Sequence, residues 1–425
     1  MASLALSTYR IATDLAEPLL SPWLWLRLRR GKEDPARLRE RYGYASLARP
    51  EGTLVWVHAA SVGEANSVLR LLALLREQLP GASVLMTTGT VSSAELMKHR
   101  LPAGVMHQYA PLDTPSITAR FIRHWKPQAA FVVESELWPN LICTADRYGC
   151  FLGILNGRMS ERSFRSWNKK PDMARTLMRC FNVVFAGSKA DAERYRLLGA
   201  KRVLELGNLK YDAPELGCDE AELASLRAQI GARPVWLAAS THPGEEEHVA
   251  KAHQLLAATR RDLLTIIVPR HAPRGDELTT MLRQYGKVAQ RSKKQPLQTD
   301  TNFYLADTMG ELGLFYRLCE LVFMGGSLVR HGGQNPLEPA RFSCALISGS
   351  HVHNFADMYQ QLSEKKACQI IRSGSELAAC VDGLLRDSGR RMQMGRIARA
   401  YVEDHGGAAE AHLARLLPVL GVLGS

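Results

Sequence analysis

The stretch LVWVHAASVGEANSVLRLLALL, residues 54–75, decides the fold class of this chain. Its first part, residues 54–57, is a short apolar run rich in valine and tryptophan, which predicts a buried strand. A turn with alanine, serine and glycine follows, and then leucines recur at helical spacing, among them Leu69, Leu72 and Leu75. A strand followed by a turn and a helix is the beginning of a βαβ unit, in which helices join parallel strands.

The same order of strand, turn and helix recurs along the chain. Further strands are predicted at 84–86, 130–133, 151–155, 183–185 and 203–206, and in the second half at 235–238, 264–268, 321–324 and 345–347. A polar connector interrupts the pattern between them, and 425 residues exceed what one core usually serves. We therefore predict an N-terminal segment (1–45), a first domain (46–212), a linker (213–230) and a second domain (231–425). The helical last 40 or so residues are counted with the second domain, although they could also cross back to the first.

The composition indicates the cellular compartment and limits the classes of binding partner. The eight cysteines are scattered without a CxxC pair, which is typical of reduced thiols in the cytosol. The formal net charge of +12 predicts attraction to an anion, which could be nucleic acid, a phospholipid headgroup or a phosphorylated substrate.

The N-terminal segment contains the apolar stretch PLLSPWLWL, residues 18–26, followed by Arg27, Arg29, Arg30 and Lys32. The stretch is too short to span a bilayer and does not resemble a signal peptide. Tryptophan beside arginine is typical of a membrane interface, so we predict a membrane-surface segment. The alternative is an amphipathic helix packed on its own domain, with a solvated basic flank.

Ligands of open parallel sheets bind beyond the carboxyl ends of the strands, so the turns there are the first place to look for chemistry. The first turn, HAASVGE, ends in Glu64 on the first turn of a predicted helix. An acid at this position complements the helix dipole, for about 0.3–1 kcal/mol. It could also be a general base, but then burial has to offset the dipole, which lowers its basicity.

The strand at 130–133 runs into ESELWPN, residues 134–140. If the backbone stays extended, Glu134 and Glu136 point to opposite faces, so at most one of them faces an active site; we favour Glu134. The next turn, NGRMSERS (156–163), is followed by further basic residues. It fits equally an anion clamp for a phosphate or a sugar carboxylate and an exposed basic loop.

In the second half, the turns that follow strands are PRH (269–271), MGEL (309–312), GGSL (325–328) and GGQNPLEPA (332–340). Glycines before a helix leave backbone N–H groups to bind a phosphate, and Glu338 could accept hydrogen bonds from ribose hydroxyls. These turns together predict a nucleotide site. The chain contains neither a GxxxxGK[ST] loop nor an Asp-x-Asp motif, which favours a metal-independent transferase.

Taken in order, these motifs resemble the family of 3-deoxy-D-manno-octulosonic acid (Kdo) transferases, which attach Kdo to lipid A precursors. The resemblance covers nearly the whole chain. Its motifs are residues 29–33, 58–64, 134–140, 157–163, 207–210, 269–271 and 325–340.

The resemblance implies a GT-B fold, with two Rossmann-like domains whose parallel sheets face a central cleft. It implies an inverting transfer of one or two Kdo residues from CMP-Kdo to a lipid A precursor, at the cytoplasmic face of the inner membrane, with no cofactor, metal or nucleic acid. Glu64 matches the family's proposed base, and Glu134 and Lys210 match positions assigned to transition-state stabilisation. The residues that match the CMP-binding segments are Pro269, Arg270, Met309, Gly310, Glu311, Asn335, Pro336, Leu337 and Glu338.

Two other functions remain open from the residues alone. One is a GT-B-like transferase or epimerase that uses a UDP-sugar. The other is a non-catalytic basic protein that binds nucleic acid or anionic membrane, which would leave Glu64, Glu134 and Glu338 without a purpose.

Overall fold

The computed structural model describes residues 3–424. The chain forms two compact units, Met1–Pro214 with His405–Ser425, and Glu215–Asp404. Each unit contains a seven-stranded sheet, and every strand pair in both sheets is parallel. The predicted α/β class is therefore confirmed.

The first unit has helices on both faces of its sheet. The strands are β1 (Leu54–Ala59), β2 (Ser83–Thr88), β3 (Val105–Tyr109), β4 (Ala129–Val133), β5 (Phe151–Gly157), β6 (Val183–Ala186) and β7 (Val203–Glu205). The helices are α1 (Leu4–Leu15), α2 (Leu20–Arg29), α3 (Leu38–Arg41), α4 (Val62–Gln78), α5 (Val91–Arg100), α6 (Pro115–Trp125), α7 (Pro139–Arg147), α8 (Glu161–Asn168), α9 (Pro171–Cys180) and α10 (Lys189–Leu197), with 3₁₀ turns at Glu17–Leu19, Pro35–Arg37 and Leu209–Asp212.

The order of the first sheet is β3-β2-β1-β4-β5-β6-β7. The chain begins in the middle of this sheet and winds outward in both directions, so its direction reverses between β1 and β4. Both faces are buried: Trp56 belongs to one apolar cluster, and Val55 and Val57 belong to the other. Because ligands bind at the carboxyl ends of strands where the winding reverses, the turns after β1 and β4 form the first candidate site.

The second unit repeats this plan. Its strands are β8 (Val235–Thr241), β9 (Leu264–Pro269), β10 (Val288–Gln290), β11 (Phe303–Leu305), β12 (Leu321–Met324), β13 (Ala345–Gly349) and β14 (Cys368–Ile371). Its helices are α11 (Glu220–Ile230), α12 (Glu245–Ala257), α13 (Gly275–Leu282), α14 (Leu312–Leu318), α15 (Leu337–Arg341), α16 (Ala356–Glu364), α17 (Gly374–Arg386) and α18 (Ser388–Asp404), with 3₁₀ turns at Ala272–Arg274 and Arg291–Lys293. The strand order is β10-β11-β9-β8-β12-β13-β14, so here the winding reverses between β8 and β12.

The structure differs from the predicted domain boundaries at two places. Residues 220–230, predicted as part of a linker, form α11 and belong to the second unit, because Leu223, Leu226 and Ile230 give this polar helix a buried apolar side. The last helix, α19 (Ala408–Gly424), was counted with the second domain but belongs to the first unit. It packs on α4 and adds Leu413 and Leu416 to the cluster that contains Val55 and Val57.

The N-terminal segment packs on the first unit along one side only. Tyr9 donates a hydrogen bond to Asp113 (2.9 Å), and the Glu17 carboxylate accepts one from Thr114 (2.7 Å). Leu24 is fully buried, whereas Trp23 and Trp25 are exposed. None of the helices within residues 3–424 combines the length and the apolar character that crossing a membrane requires.

Candidate active site

Glu64 lies in the first turn of α4, directly after β1. Ser61 is the N-cap residue of this helix, and its hydroxyl donates a hydrogen bond to Glu64 Oε1 (2.7 Å). The Ala60 backbone N–H donates to Glu64 Oε2 (2.9 Å). These bonds fix the carboxylate beside the carboxyl end of β1, at the point where the winding of the first sheet reverses.

The environment of Glu64 raises its pKa to about 7. Burial is the largest cause, because it disfavours the charged form, and the negative charges of Glu136 and Glu134 raise the pKa further. The hydrogen bonds from Ser61 and Ala60 act in the opposite direction without cancelling the shift. A carboxyl group with this pKa is well matched to a general base near neutral pH.

Glu134 and Glu136 follow β4, the strand next to β1. Glu134 has φ = 57°, so the backbone is not extended there, and the condition under which the two side chains would point to opposite faces is not met. Both carboxylates act on the pKa of the same group, Glu64. The Glu136 carboxylate accepts a hydrogen bond from the Trp138 indole N–H (2.7 Å). Burial, followed by the charge of Glu134, raises the pKa of Glu136, although the bond from Trp138 opposes this shift.

Lys210 pairs with Glu134. Its ammonium nitrogen lies 2.5 Å from Glu134 Oε1, and the Arg158 guanidinium lies 4.0 Å from the same oxygen. The structure thus brings the three predicted catalytic residues to one place: Glu64 beside Glu134 and Glu136, and Glu134 against Lys210.

The turn that carries Lys210 is held by Asn156, which the sequence placed in the predicted anion clamp, and through it by His412, which sequence analysis missed. The Asn156 side-chain oxygen accepts a hydrogen bond from the Leu209 N–H (3.0 Å). His412 of α19 is fully buried, and its Nε2 accepts from the Asn156 N–H (3.4 Å). Burial lowers the pKa of His412 to about 4, so the ring stays neutral and can act as an acceptor. The left-handed backbone of Asn156 (φ = 51°) is a conformation that asparagine adopts more often than most residues other than glycine, so this asparagine at a strand end is the signal that could have found it.

The basic residues after β5 are partly engaged within the first unit. Arg165 and Arg194 both pair with Glu161, at 2.8 and 3.2 Å. Arg158 turns toward Glu134 instead. Of the predicted anion clamp, the structure therefore places Arg158 next to the carboxylate cluster.

In the second unit, the glycine turn after β12 binds a carboxylate of its own chain. Glu245 is fully buried and accepts hydrogen bonds from the N–H groups of His242 (3.0 Å), Gly326 (2.5 Å), Ser327 (2.9 Å) and Leu328 (2.8 Å). The prediction that the N–H groups of 325–328 bind a phosphate is thus wrong for 326–328, because Glu245 occupies them.

His242 connects the turns after β8, β9 and β12, although sequence analysis did not single it out. Its ring stacks on that of His331 (3.7 Å between centroids) and meets His271 edge-on (5.9 Å). Its Nε2 lies 2.9 Å from the side-chain nitrogen of Gln334. Burial, followed by nearby histidines and by the charges of Arg270 and Arg274, lowers the pKa of His242 to about 4. Of these causes, the positive charges of Arg270 and Arg274 would also attract an anionic ligand.

The residues predicted to bind CMP lie at the carboxyl edge of the second sheet. Pro269 ends β9, and Arg270 follows it, with its backbone N–H bonded to Thr241 (2.9 Å). Met309 and Gly310 are exposed after β11, and Glu311 pairs with Arg291 through a 2.7 Å bond. Residues 335–338 lead into α15, and the Asn335 side-chain oxygen accepts a hydrogen bond from the Leu337 N–H (3.1 Å). Pro336 is buried, and Glu338 is half-buried.

No group of three or more histidine, cysteine, aspartate or glutamate side chains that could hold a metal ion is found within residues 3–424. The polar groups described above are instead arranged as carboxylate–ammonium and imidazole–guanidinium clusters.

Two solved structures illustrate the similarity of the fold to known proteins. The UDP-GlcNAc 2-epimerase from Neisseria meningitidis, bound to UDP-GlcNAc, matches 86% of this chain and 100% of its own, with a TM-score of 0.60 and 12% identity. A glycosyltransferase from Rickettsia africae matches 88% of this chain and 99% of its own, with a TM-score of 0.56 and 12% identity. At this identity the likeness shows the fold alone, and it confirms the predicted GT-B class.

The sequence relatives are much closer. The family model described as 3-deoxy-D-manno-octulosonic-acid transferase (kdotransferase) matches residues 36–213. A probable mitochondrial 3-deoxy-D-manno-octulosonic acid transferase from Arabidopsis thaliana is 37% identical over 390 residues, which is 89% of this chain and 87% of the relative. The 3-deoxy-D-manno-octulosonic acid transferase of Haemophilus influenzae is 34% identical over 416 residues, 96% of each chain. This chain therefore belongs to the family of 3-deoxy-D-manno-octulosonic acid transferases.

Proposed function

We propose that this chain is the Kdo transferase of lipopolysaccharide biosynthesis that transfers Kdo from CMP-Kdo to a lipid A precursor, with inversion at the anomeric carbon. Family membership supports the reaction. The observation that carries the proposed chemistry is Glu64, a half-buried carboxyl group with a pKa near 7 beside Glu134 and Glu136.

In the proposed mechanism, Glu64 accepts the proton from the primary hydroxyl of the terminal glucosamine of the acceptor. The hydroxyl oxygen then attacks the anomeric carbon of Kdo, and the bond from that carbon to the phosphate oxygen breaks, so that CMP leaves with both bonding electrons. Lys210 and Glu134 form an ion pair next to this base (2.5 Å). The ammonium group is suited to offset negative charge on the departing phosphate, and the carboxylate to offset positive charge on the sugar ring.

The donor is proposed to bind the second unit through Pro269, Arg270, Met309 to Glu311 and Asn335 to Glu338. The surroundings that lower the pKa of His242 include the charge of Arg270 and favour a phosphate at this edge of the sheet.

The proposed location is the cytoplasmic face of the inner membrane, without a spanning helix. Trp23 and Trp25 are exposed on α2, and the guanidinium groups of Arg27 and Arg29 lie over their rings, at 4.9 and 3.7 Å from the centroids. Indole rings beside cations suit the headgroup region of an anionic leaflet.

Substitution of the base tests the mechanism. In Glu64→Gln the amide oxygen can still accept one cap hydrogen bond, so the fold and CMP binding should persist, while Kdo transfer should fall by about 100-fold or more. Glu77→Gln, an exposed change on the same helix, is the matched control and should transfer normally. Near-normal turnover of a folded Glu64→Gln protein would exclude Glu64 as the base.

Competition between nucleotides tests the donor. CMP should inhibit transfer and protect the second unit against unfolding, and UDP should do neither. Tighter binding of UDP than of CMP would overturn the proposed donor.

A further inference from the structure

A cavity of about 460 Å³ opens in the first unit, at the carboxyl ends of β3 and β4. This volume lies within the range of about 300–1,000 Å³ that is usual for ligand sites. The side chains that make its walls largely apolar are Leu112, Leu137, Trp138, Trp167 and Met173.

The polar groups of the cavity select the kind of ligand. Asp113 lies in the wall, but its carboxylate already accepts hydrogen bonds from Tyr9 (2.9 Å) and from the N–H groups of Asn140 (3.2 Å) and Leu141 (2.8 Å). Lys170, by contrast, is an exposed cation in the lining. An apolar interior with a cation at the rim fits an alkyl chain attached to an anionic head.

The cavity adjoins the proposed catalytic carboxylates. Trp138 forms part of its wall, and the indole N–H of the same residue donates to Glu136 (2.7 Å). The charge of Glu136 in turn raises the pKa of Glu64. A chain bound in this cavity would therefore be held one side chain away from the cluster that is proposed to activate the acceptor hydroxyl.

We propose that this cavity binds an acyl chain of the acceptor lipid, with Lys170 near a phosphate of its head. This inference rests on the proposed function, because only a lipid acceptor brings an acyl chain to the carboxylate cluster. Lys169, the neighbour of Lys170 in the chain, is also exposed and adds positive charge near this part of the surface.

Filling the cavity with a larger side chain tests the proposal without substrate turnover. Ser166 lines the cavity and is exposed, so Ser166→Trp should place an indole in the space of the chain without disturbing the core. Asn168→Trp, on the same helix and exposed but outside the lining, is the matched control. The probe is dodecyl phosphate below its critical micelle concentration, measured by calorimetry on the full chain without vesicles.

Ser166→Trp should weaken dodecyl phosphate binding by about tenfold or more, since excluding two methylene groups already has that effect. Asn168→Trp should bind like the wild type, and glycerol phosphate should bind weakly to all three proteins. Equal affinity of dodecyl phosphate for all three would overturn the proposal.

Labelling of the wild-type chain by a lipid with a diazirine on its acyl chain keeps the test valid if Ser166→Trp fails to fold. Labels should map to residues 137–139 or 166–173, whereas labels confined to residues 4–26 would show that the chain binds the surface helices instead and would contradict the proposal.

Kinetics separate this inference from the proposed function. Ser166→Trp should raise KM for a tetraacyl acceptor and leave KM for CMP-Kdo unchanged. A wild-type chain that transfers Kdo to no acceptor would refute the proposed function, whatever the cavity binds. If the Ser166→Trp variant transferred Kdo with an unchanged KM for the tetraacyl acceptor, the proposed function would stand and the acyl site would be refuted.

Discussion

Two opposing effects act on Glu64. Its position on the first turn of α4 stabilises the carboxylate, but a helix terminus contributes only about 0.3–1 kcal/mol, which is less than one pKa unit. Burial and the neighbouring charges of Glu136 and Glu134 act in the other direction, and the pKa reaches about 7. Desolvation therefore outweighs the dipole, and a position that is usually a simple helix cap becomes a group that titrates near neutral pH.

This pKa predicts the pH dependence of the reaction. A base works only when deprotonated, so kcat/KM should rise with pH to a plateau, with a midpoint near pH 7. Of the two neighbouring carboxylates, Glu136 raises the pKa of Glu64 more, so Glu136→Gln should move that midpoint to lower pH. The Gln side-chain oxygen can still accept the hydrogen bond from Trp138. Glu51→Gln, an exposed change before β1, is the control. If Glu136→Gln and the wild type had the same pH profile, the rise of kcat/KM with pH would not be caused by the titration of Glu64.

The Glu245 carboxylate holds the glycine turn after β12, and we expect it to stabilise the second unit. Four backbone N–H groups point at its two oxygens, and in Glu245→Gln the amide nitrogen would face donors instead of accepting from them. Loss of charge-assisted hydrogen bonds to a buried site should cost about 2–4 kcal/mol of unfolding free energy, measured by denaturant titration. Glu247→Gln, on the same helix and exposed, should unfold like the wild type. Equal stability of both variants would contradict the role.

Part of the site could be predicted from the residues, and part could not. A glutamate after β1 is visible in the motif itself, because a strand, a polar turn and a helix can be recognised from composition. The positive φ of Glu134 cannot be predicted from the sequence, since glutamate has no preference for that region. The joint effect of Glu134 and Glu136 on the pKa of Glu64 could not be predicted either. His242 was missed because its partners, His331 and Gln334, are about 90 residues away in the chain.

At the scale of elements, strands inside the sheets were predictable, and most strands at their edges were not. β1, β4, β8 and β12 are continuous apolar runs because both of their faces are buried. The strands that sequence analysis missed are β3, β10, β11 and β14. β3, β10 and β14 lie at sheet edges and carry polar residues such as His107 and Gln369. β11 is internal but has only three residues, too few for a periodic pattern.

The packing of α19 on the first unit predicts which unit the C-terminal helix stabilises. Leu416 is almost fully buried in the cluster that contains residues of β1 and α4, so Leu416→Ala should cost about 2–5 kcal/mol. Leu255→Ala, an exposed leucine of the second unit, should cost little. Tryptophan fluorescence can follow the first unit, because six of the seven tryptophans precede residue 215. If Leu416→Ala left this transition unchanged, α19 would not be part of the core of the first unit.

At the scale of the whole molecule, we expect the net charge and the exposed N-terminal helices to contribute jointly to binding of an anionic membrane. The charge of +12 attracts the chain to anionic lipid, and Trp23 and Trp25 offer exposed indole rings for the interface. The double variant Trp23→Ala/Trp25→Ala should bind vesicles with anionic lipid about tenfold more weakly in co-sedimentation, with its folded structure retained because neither ring is in the core. Tyr148→Ala/Leu197→Ala removes two exposed apolar side chains elsewhere in the first unit and should bind as the wild type does.

Raising the salt from 0.1 to about 1 M shortens the screening length to about 3 Å and should weaken binding of all three proteins. Vesicle binding that is insensitive to the tryptophans but still salt-sensitive would mean that charge alone, and not the N-terminal helices, brings the protein to anionic lipid.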